Sequence, residues 1–175
     1  MGSIIKCIIP RETEYSAEQI KRKLKNAFER RKFDYLNLEK NGRFTKNVSG
    51  IWWINKISRV NTEPKYITGE GDSFSLDIYS KVIIITCIER FSSLYLIEDN
   101  ISNELFNILI EISNEFRSSD EIIIGNGSGE MEAIIDMAYY ENLDFAQVCD
   151  KMFEKNGKPA YSLIELRDAL WYLRK

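Results

Sequence analysis

The chain contains no histidine, and this absence excludes more than any motif present includes. Without imidazole there is no Ser-His-Asp or Cys-His arrangement, no His-ligated metal, and no side chain whose ordinary pKa lies near neutrality. What survives is carboxylate or lysine chemistry, Mg²⁺-dependent phosphoryl transfer, or no chemistry at all. Cysteine is also scarce: Cys7, Cys87 and Cys149 are odd in number, far apart and without a C-x-x-C spacing. Free buried thiols in a reducing compartment are expected, and a structural zinc site is not.

Long apolar runs are missing too. The runs present, such as residues 82–85, are strand-sized and far short of the roughly 20 residues that span a bilayer. Met-Gly-Ser-Ile-Ile-Lys at the start lacks the features of a signal peptide, and Lys6 stands where a myristoylation motif has Ser or Thr. A cytoplasmic protein that does not enter membranes is expected. With only 3 Pro and 9 Gly in 175 residues there is no Pro- or Gly-rich linker. The 44% hydrophobic content is ample to bury a core. Residues 1–175 are therefore expected to form a single α+β domain.

Charge is abundant but unevenly placed. Residues 1–60 carry a net +8 and residues 61–175 a net −11, which together make the overall −3. An asymmetry of this kind concerns partners rather than fold.

Along the chain, residues 3–9 read as a strand closed by Pro10. Ser16-Ala17-Glu18-Gln19 is a capping box, opening a helix to about Lys32 with Ile20, Leu24, Ala27 and Phe28 as its apolar stripe. Asn41-Gly42 signals a turn, and residues 50–60 a strand. Residues 65–68 and 74–79 flank Gly69-Glu70-Gly71-Asp72 as a hairpin, with Phe74, Leu76 and Ile78 alternating against Ser75, Asp77 and Tyr79. Residues 82–88 suit the centre of a sheet, and 93–97 suggest a further strand. A helix over 100–117 carries Ile101, Leu105, Ile108, Ile112 and Phe116 on one stripe. Residues 121–124 form a short strand, then helices follow over 130–140 and from Asn142 or Asp144 to Asn156-Gly157. Ser162-Leu163-Ile164-Glu165, a second capping box, predicts a terminal helix through Trp171, Tyr172 and Leu173. The expected architecture is a mainly antiparallel mixed sheet flanked by two long helices, with three shorter C-terminal helices.

Four constellations bear on function. Gly125, Gly127 and Gly129 expose amides ahead of a helix, as phosphate sites do. Their spacing fits neither G-x-G-x-x-G nor the P-loop, and Glu130 and Glu132 would repel an anion there. The Gly69–Asp72 loop with Asp77 offers oxygens to Ca²⁺ or Mg²⁺ in a pattern that matches no EF-hand. The helix over 17–32 is basic enough to meet a phosphate backbone, but its one aromatic, Phe28, belongs to the apolar stripe, and its charges also suit the acidic half of its own chain. The fourth constellation is an acidic surface with interface-type aromatics: Glu104, Glu111, Glu115, Glu130, Glu132, Asp136, Tyr139 and Tyr140.

These features favour binding over catalysis. The expectation is a non-enzymatic, cofactor- and metal-free module of the immunity or antitoxin type, blocking a basic toxin such as a nuclease through the acidic surface. Abundant Lys, Asn and Ile suit an AT-rich bacterial genome. The alternatives are a nucleotide- or Mg²⁺-dependent enzyme using the 125–129 loop, and nucleic-acid binding through the basic helix.

Overall fold

The computed structural model describes residues 4–30, 35–40, 48–60, 63–66, 73–95, 101–117 and 119–174. Their elements run β1 (Ile4–Pro10), α1 (Ala17–Arg30), β2 (Tyr35–Lys40), β3 (Val48–Val60), β4 (Glu63–Tyr66), β5 (Ser73–Tyr79), β6 (Val82–Arg90), α2 (Ile101–Phe116), β7 (Ile122–Asn126), α3 (Glu130–Tyr140), α4 (Phe145–Asn156) and β8 (Trp171–Arg174). The sheet order is β2-β3-β5-β6-β1-β7-β8, with β4 on β3, and every strand pair is antiparallel. The fold is thus α+β.

The apolar runs of β1, β6 and β7 follow from burial on both faces. Ile5, Cys7 and Ile9 of β1, Ile83, Ile85 and Cys87 of β6, and Ile122 and Ile124 of β7 pack under α1 and α2. The alternate residues Ile8, Val82, Ile84 and Ile123 pack under α3 and α4. A strand covered on both sides cannot alternate with polar residues, because each polar side chain would be stranded without water. In β5 alternation returns: Phe74, Leu76 and Ile78 are buried, whereas Ser75, Asp77 and Tyr79 are only half-buried. The covering by α3 and α4 is only partial there.

Two of the helices start at a side-chain cap. The backbone N–H of Ser16 donates to Gln19 Oε1 at 2.8 Å and the Gln19 N–H to Ser16 Oγ at 3.2 Å, so the expected capping box begins α1. Ile20, Leu24 and Ala27 form the buried stripe of α1; the Phe28 side chain lies outside the described residues. Helix α2 answers with Ile108, Leu109, Ile112 and Phe116, each large side chain contributing about 1.5–3 kcal/mol on burial. Asp144 caps α4 in a reciprocal box with Gln147. Gly157, at φ +70°, ends that helix in a conformation that disfavours any side chain.

Several expectations are corrected. The described residues hold four α-helices, not two long and three short ones. The Ser162–Glu165 pattern opens no helix. Glu165 Oε2 instead accepts from the Tyr161 N–H at 2.7 Å, residues Ile164–Arg167 make one 3-10 turn, and β8 follows. Trp171 and Leu173 face the α3–α4 core and Tyr172 the α1–α2 core. Only an extended strand sends successive bulky residues to opposite faces. The outer edge of β8 is met by Ala160, whose N–H donates to Trp171 O at 2.8 Å and whose carbonyl accepts from the Leu173 N–H at 3.0 Å.

The segment expected as a strand at 93–97 begins as a 3-10 turn, Phe91–Leu94, which buries Phe91 and Leu94 three residues apart; residues 96 and 97 lie outside the described residues. The hairpin expected between 65–68 and 74–79 does not pair with itself. Strand β3 is 13 residues long, so Val48 to Asn55 pair with β5 while Ile57 to Val60 pair with β4. Asn41-Gly42 and Gly69–Asp72 lie outside the described residues.

Trp171 is fully buried, its Nε1–H donates to Gly157 O at 3.0 Å, and it meets Phe153 edge-on at 5.0 Å. Trp171→Ala is expected to cost about 3–5 kcal/mol in urea denaturation, and Leu170→Ala, at an exposed neighbour, less than about 0.5 kcal/mol. Near-equal small losses would contradict the placement of β8.

Candidate functional site

The expected acidic residues divide between the two faces of the sheet. Glu111 and Glu115 lie on α2, and both are held by Arg30 of α1: Nε donates to Glu111 Oε2 at 3.1 Å, and Nη2 pairs with Glu115. Lys23 of α1 donates to the Glu115 carbonyl at 2.7 Å and stands over the Tyr15 and Phe116 rings. Lys25 pairs with Glu29 at 3.8 Å. The basic helix is therefore partly neutralised by the acidic half of its own chain. Partly exposed pairs of this kind contribute little stability, yet they occupy the charges. Glu104 falls in the first turn of α2, where side chains lie outside the described residues, as do Arg31 and Lys32.

Glu130, Glu132, Asp136, Tyr139 and Tyr140 lie on α3, across the sheet. Helical spacing sets Glu132, Asp136 and Tyr139/Tyr140 along one side. Glu130, Glu132 and Asp136 are exposed and form no ion pair among the described residues, and Tyr140 is 75% exposed. Between Arg117 and Lys151 the sequence holds eight acidic residues and no base, so no cation within that stretch of chain neutralises them.

The strip does not end at the helix. Tyr139 meets Tyr140 edge-on at 4.7 Å and packs at a tilt against Tyr79 of β5 at 5.6 Å. Burial pushes the Tyr79 hydroxyl far above its ordinary pKa, with Asp77, Asp136, Tyr139 and Tyr140 adding to the rise. The phenol is a fixed proton donor at any physiological pH. Asp77 lies two residues back on the same face of β5. Burial raises its carboxyl above the usual range, and Lys6 of β1 pulls it down without cancelling the rise. Strand register places Thr86 of β6 between Lys6 and Ser75. Thr86 is 8% exposed and its Oγ1 has no hydrogen-bond partner among the described residues.

The sequence singled out Asp77 only as a partner of the Gly69–Asp72 loop, and it passed over Lys6 and Thr86. The available signal was the return of alternation in β5, which marks where the sheet face is no longer fully covered. Among the described residues no three Asp, Glu or Cys side chains converge as metal ligands, and no helix is long and apolar enough to cross a membrane.

The glycines at 125, 127 and 129 serve packing and connection. The Asn126 N–H donates to Leu170 O at 3.4 Å, Gly127 N–H to Ile4 O at 2.7 Å, and Ser128 N–H to Asn126 Oδ1 at 3.1 Å. Those three amides are engaged before any phosphate arrives. A Cβ on Gly127 would lie 2.5 Å from Lys6 Cγ and 3.0 Å from Ile4 O, so glycine is needed for close approach of the loop to β1. The cavity lined by Asn126, Ser128, Glu130, Met131, Asn156 and Leu170 measures about 170 Å³, below the roughly 300 Å³ at which small-molecule pockets begin.

Compared with protein-family models, curated proteins and solved structures, the chain matches none.

A carboxyl whose pKa is raised on folding binds protons more readily in the folded state. Folding stability therefore falls as pH rises from the unfolded-state value through the folded one, and the loss persists above it. Asp77→Asn is expected to raise the melting temperature at pH 7, and that gain should shrink as pH falls through the raised folded-state value and be gone below about 4. A lower melting temperature for the variant at pH 7 would contradict the reading.

Proposed function

We propose that the protein is a non-enzymatic binding module that engages a basic protein partner through the acidic–aromatic strip of α3, acting as an inhibitor of the immunity or antitoxin type. The observation that carries this reading is the contrast between two sets of acids. Glu111 and Glu115 are already paired with Arg30, whereas Glu130, Glu132 and Asp136 stand exposed without an ion pair among the described residues, beside an exposed Tyr140. Acidic side chains over a base-free stretch steer a cationic partner, and tyrosines supply rigid contact area at small entropic cost. A nuclease is a suitable target class, since its site is built for phosphates and is basic. Within the cell, such an inhibitor would work in the cytoplasm of a bacterium.

The test is a low-salt titration with a fluorescent arginine-rich peptide. Glu132→Lys with Asp136→Lys is expected to weaken binding by about tenfold or more. Glu111→Gln with Glu115→Gln should leave it within about twofold. An equal response from the two pairs, or none from the α3 pair, would overturn the assignment.

A further inference from the structure

Two polar groups on the half-buried β5–β6 part of the α3–α4 face lack, among the described residues, the partners that such groups ordinarily find, and a third stands beside them. Asp77 carries no hydrogen bond or ion pair among the described residues, Thr86 Oγ1 is buried and unpaired, and Tyr79 presents a phenol whose ring packs on Tyr139. Asp77 lies opposite Ile84 and Thr86 opposite Ser75, so Asp77 and Thr86 are diagonal neighbours on adjacent strands, on the face to which Tyr79 also points. Tyr139 joins this group to the α3 strip.

We infer that this group is the anchor point of the surface and that it receives an arginine side chain of the partner, with the half-buried Asp77 accepting from the guanidinium and the Tyr79 and Tyr139 rings forming the side of the slot. The inference rests on the function proposed above and names the group recognised there. Chemistry favours guanidinium over ammonium. It is planar, offers five N–H donors to several acceptors at once, and stacks on aromatic faces. Lys6 stands on the far side of Thr86 from Ser75 and only partly offsets the cost of burying the Asp77 charge. An arriving cation gains what Lys6 leaves uncompensated. A carboxylate kept at a cost to stability is a pattern of binding sites rather than of scaffolds.

The experiment uses the full chain and two small probes, N-acetyl-arginine amide and its neutral isostere N-acetyl-citrulline amide, followed by amide and tyrosine-ring NMR shifts. The arginine probe is expected to give saturable shifts at Asp77, Tyr79 and Tyr139 that the citrulline probe does not. Asp77→Asn should abolish them while the variant stays folded, as its unchanged remaining spectrum would show. Equal shifts from both probes, or undiminished arginine shifts in Asp77→Asn, would overturn the inference. Because the single amino acid is weak, the arginine-rich peptide provides a second arm: Asp77→Asn should lower its affinity about tenfold. If that affinity holds in Asp77→Asn but falls in Glu132→Lys with Asp136→Lys, the anchor is wrong and the α3 reading stands. If the α3 pair has no effect while the arginine probe still saturates at Asp77, the α3 reading is wrong and the slot stands.

Discussion

The structure depends on burying the three central strands from both sides. Covering β1, β6 and β7 with α1 and α2 on one face and α3 and α4 on the other removes water from most side chains in the middle of the sheet. The cost of stranding polar groups there leaves little choice but Ile, Val, Leu and Cys. The same constraint decides where the surface becomes interesting. Helix α3 meets β5 at Tyr79 through the Tyr139 ring, but the face is only half-buried there, so polar residues return at Ser75, Asp77 and Tyr79, next to a helix edge that is itself acidic and aromatic. The proposed site is a consequence of incomplete covering.

Electrostatics divides the molecule along the same sheet. On the α1–α2 face, Arg30 and Lys23 meet Glu111 and Glu115 and the carbonyl end of α2, so the positive N-terminal third is answered in part inside the fold. On the α3–α4 face the acids have no cation within their stretch of chain. A net charge of −3 thus conceals acids of α2 that are paired across α1 and acids of α3 that form no ion pair among the described residues and are exposed for steering.

Much of the fold was legible where local and global demands agree. The Ser16 capping box worked because the stripe Ile20, Leu24, Ala27 that follows it is helical in period and has α2 to pack against. An equally good local motif at Ser162 failed. Trp171, Tyr172 and Leu173 must reach both cores at once, which a helix cannot arrange, and the exposed edge of β7 supplied a strand partner. Long-range pairing was invisible for the same reason: β4 and β5 adjoin in sequence, but the length of β3 gives each its own segment. For the site, spacing correctly grouped Glu132, Asp136, Tyr139 and Tyr140, which share a helix. It could not separate them from Glu111 and Glu115, because the pairing with Arg30 spans about eighty residues of chain. Asp77 and Thr86 were missed because strand order alone makes them neighbours.

The central claim is that recognition occurs on the face where covering is incomplete, and amide hydrogen exchange tests it most directly. With an arginine-rich peptide bound, added protection should concentrate at residues 73–79 and 130–141 and leave residues 106–117 of the α1–α2 face unchanged. Protection on α2, or none on β5 and α3, would contradict the account.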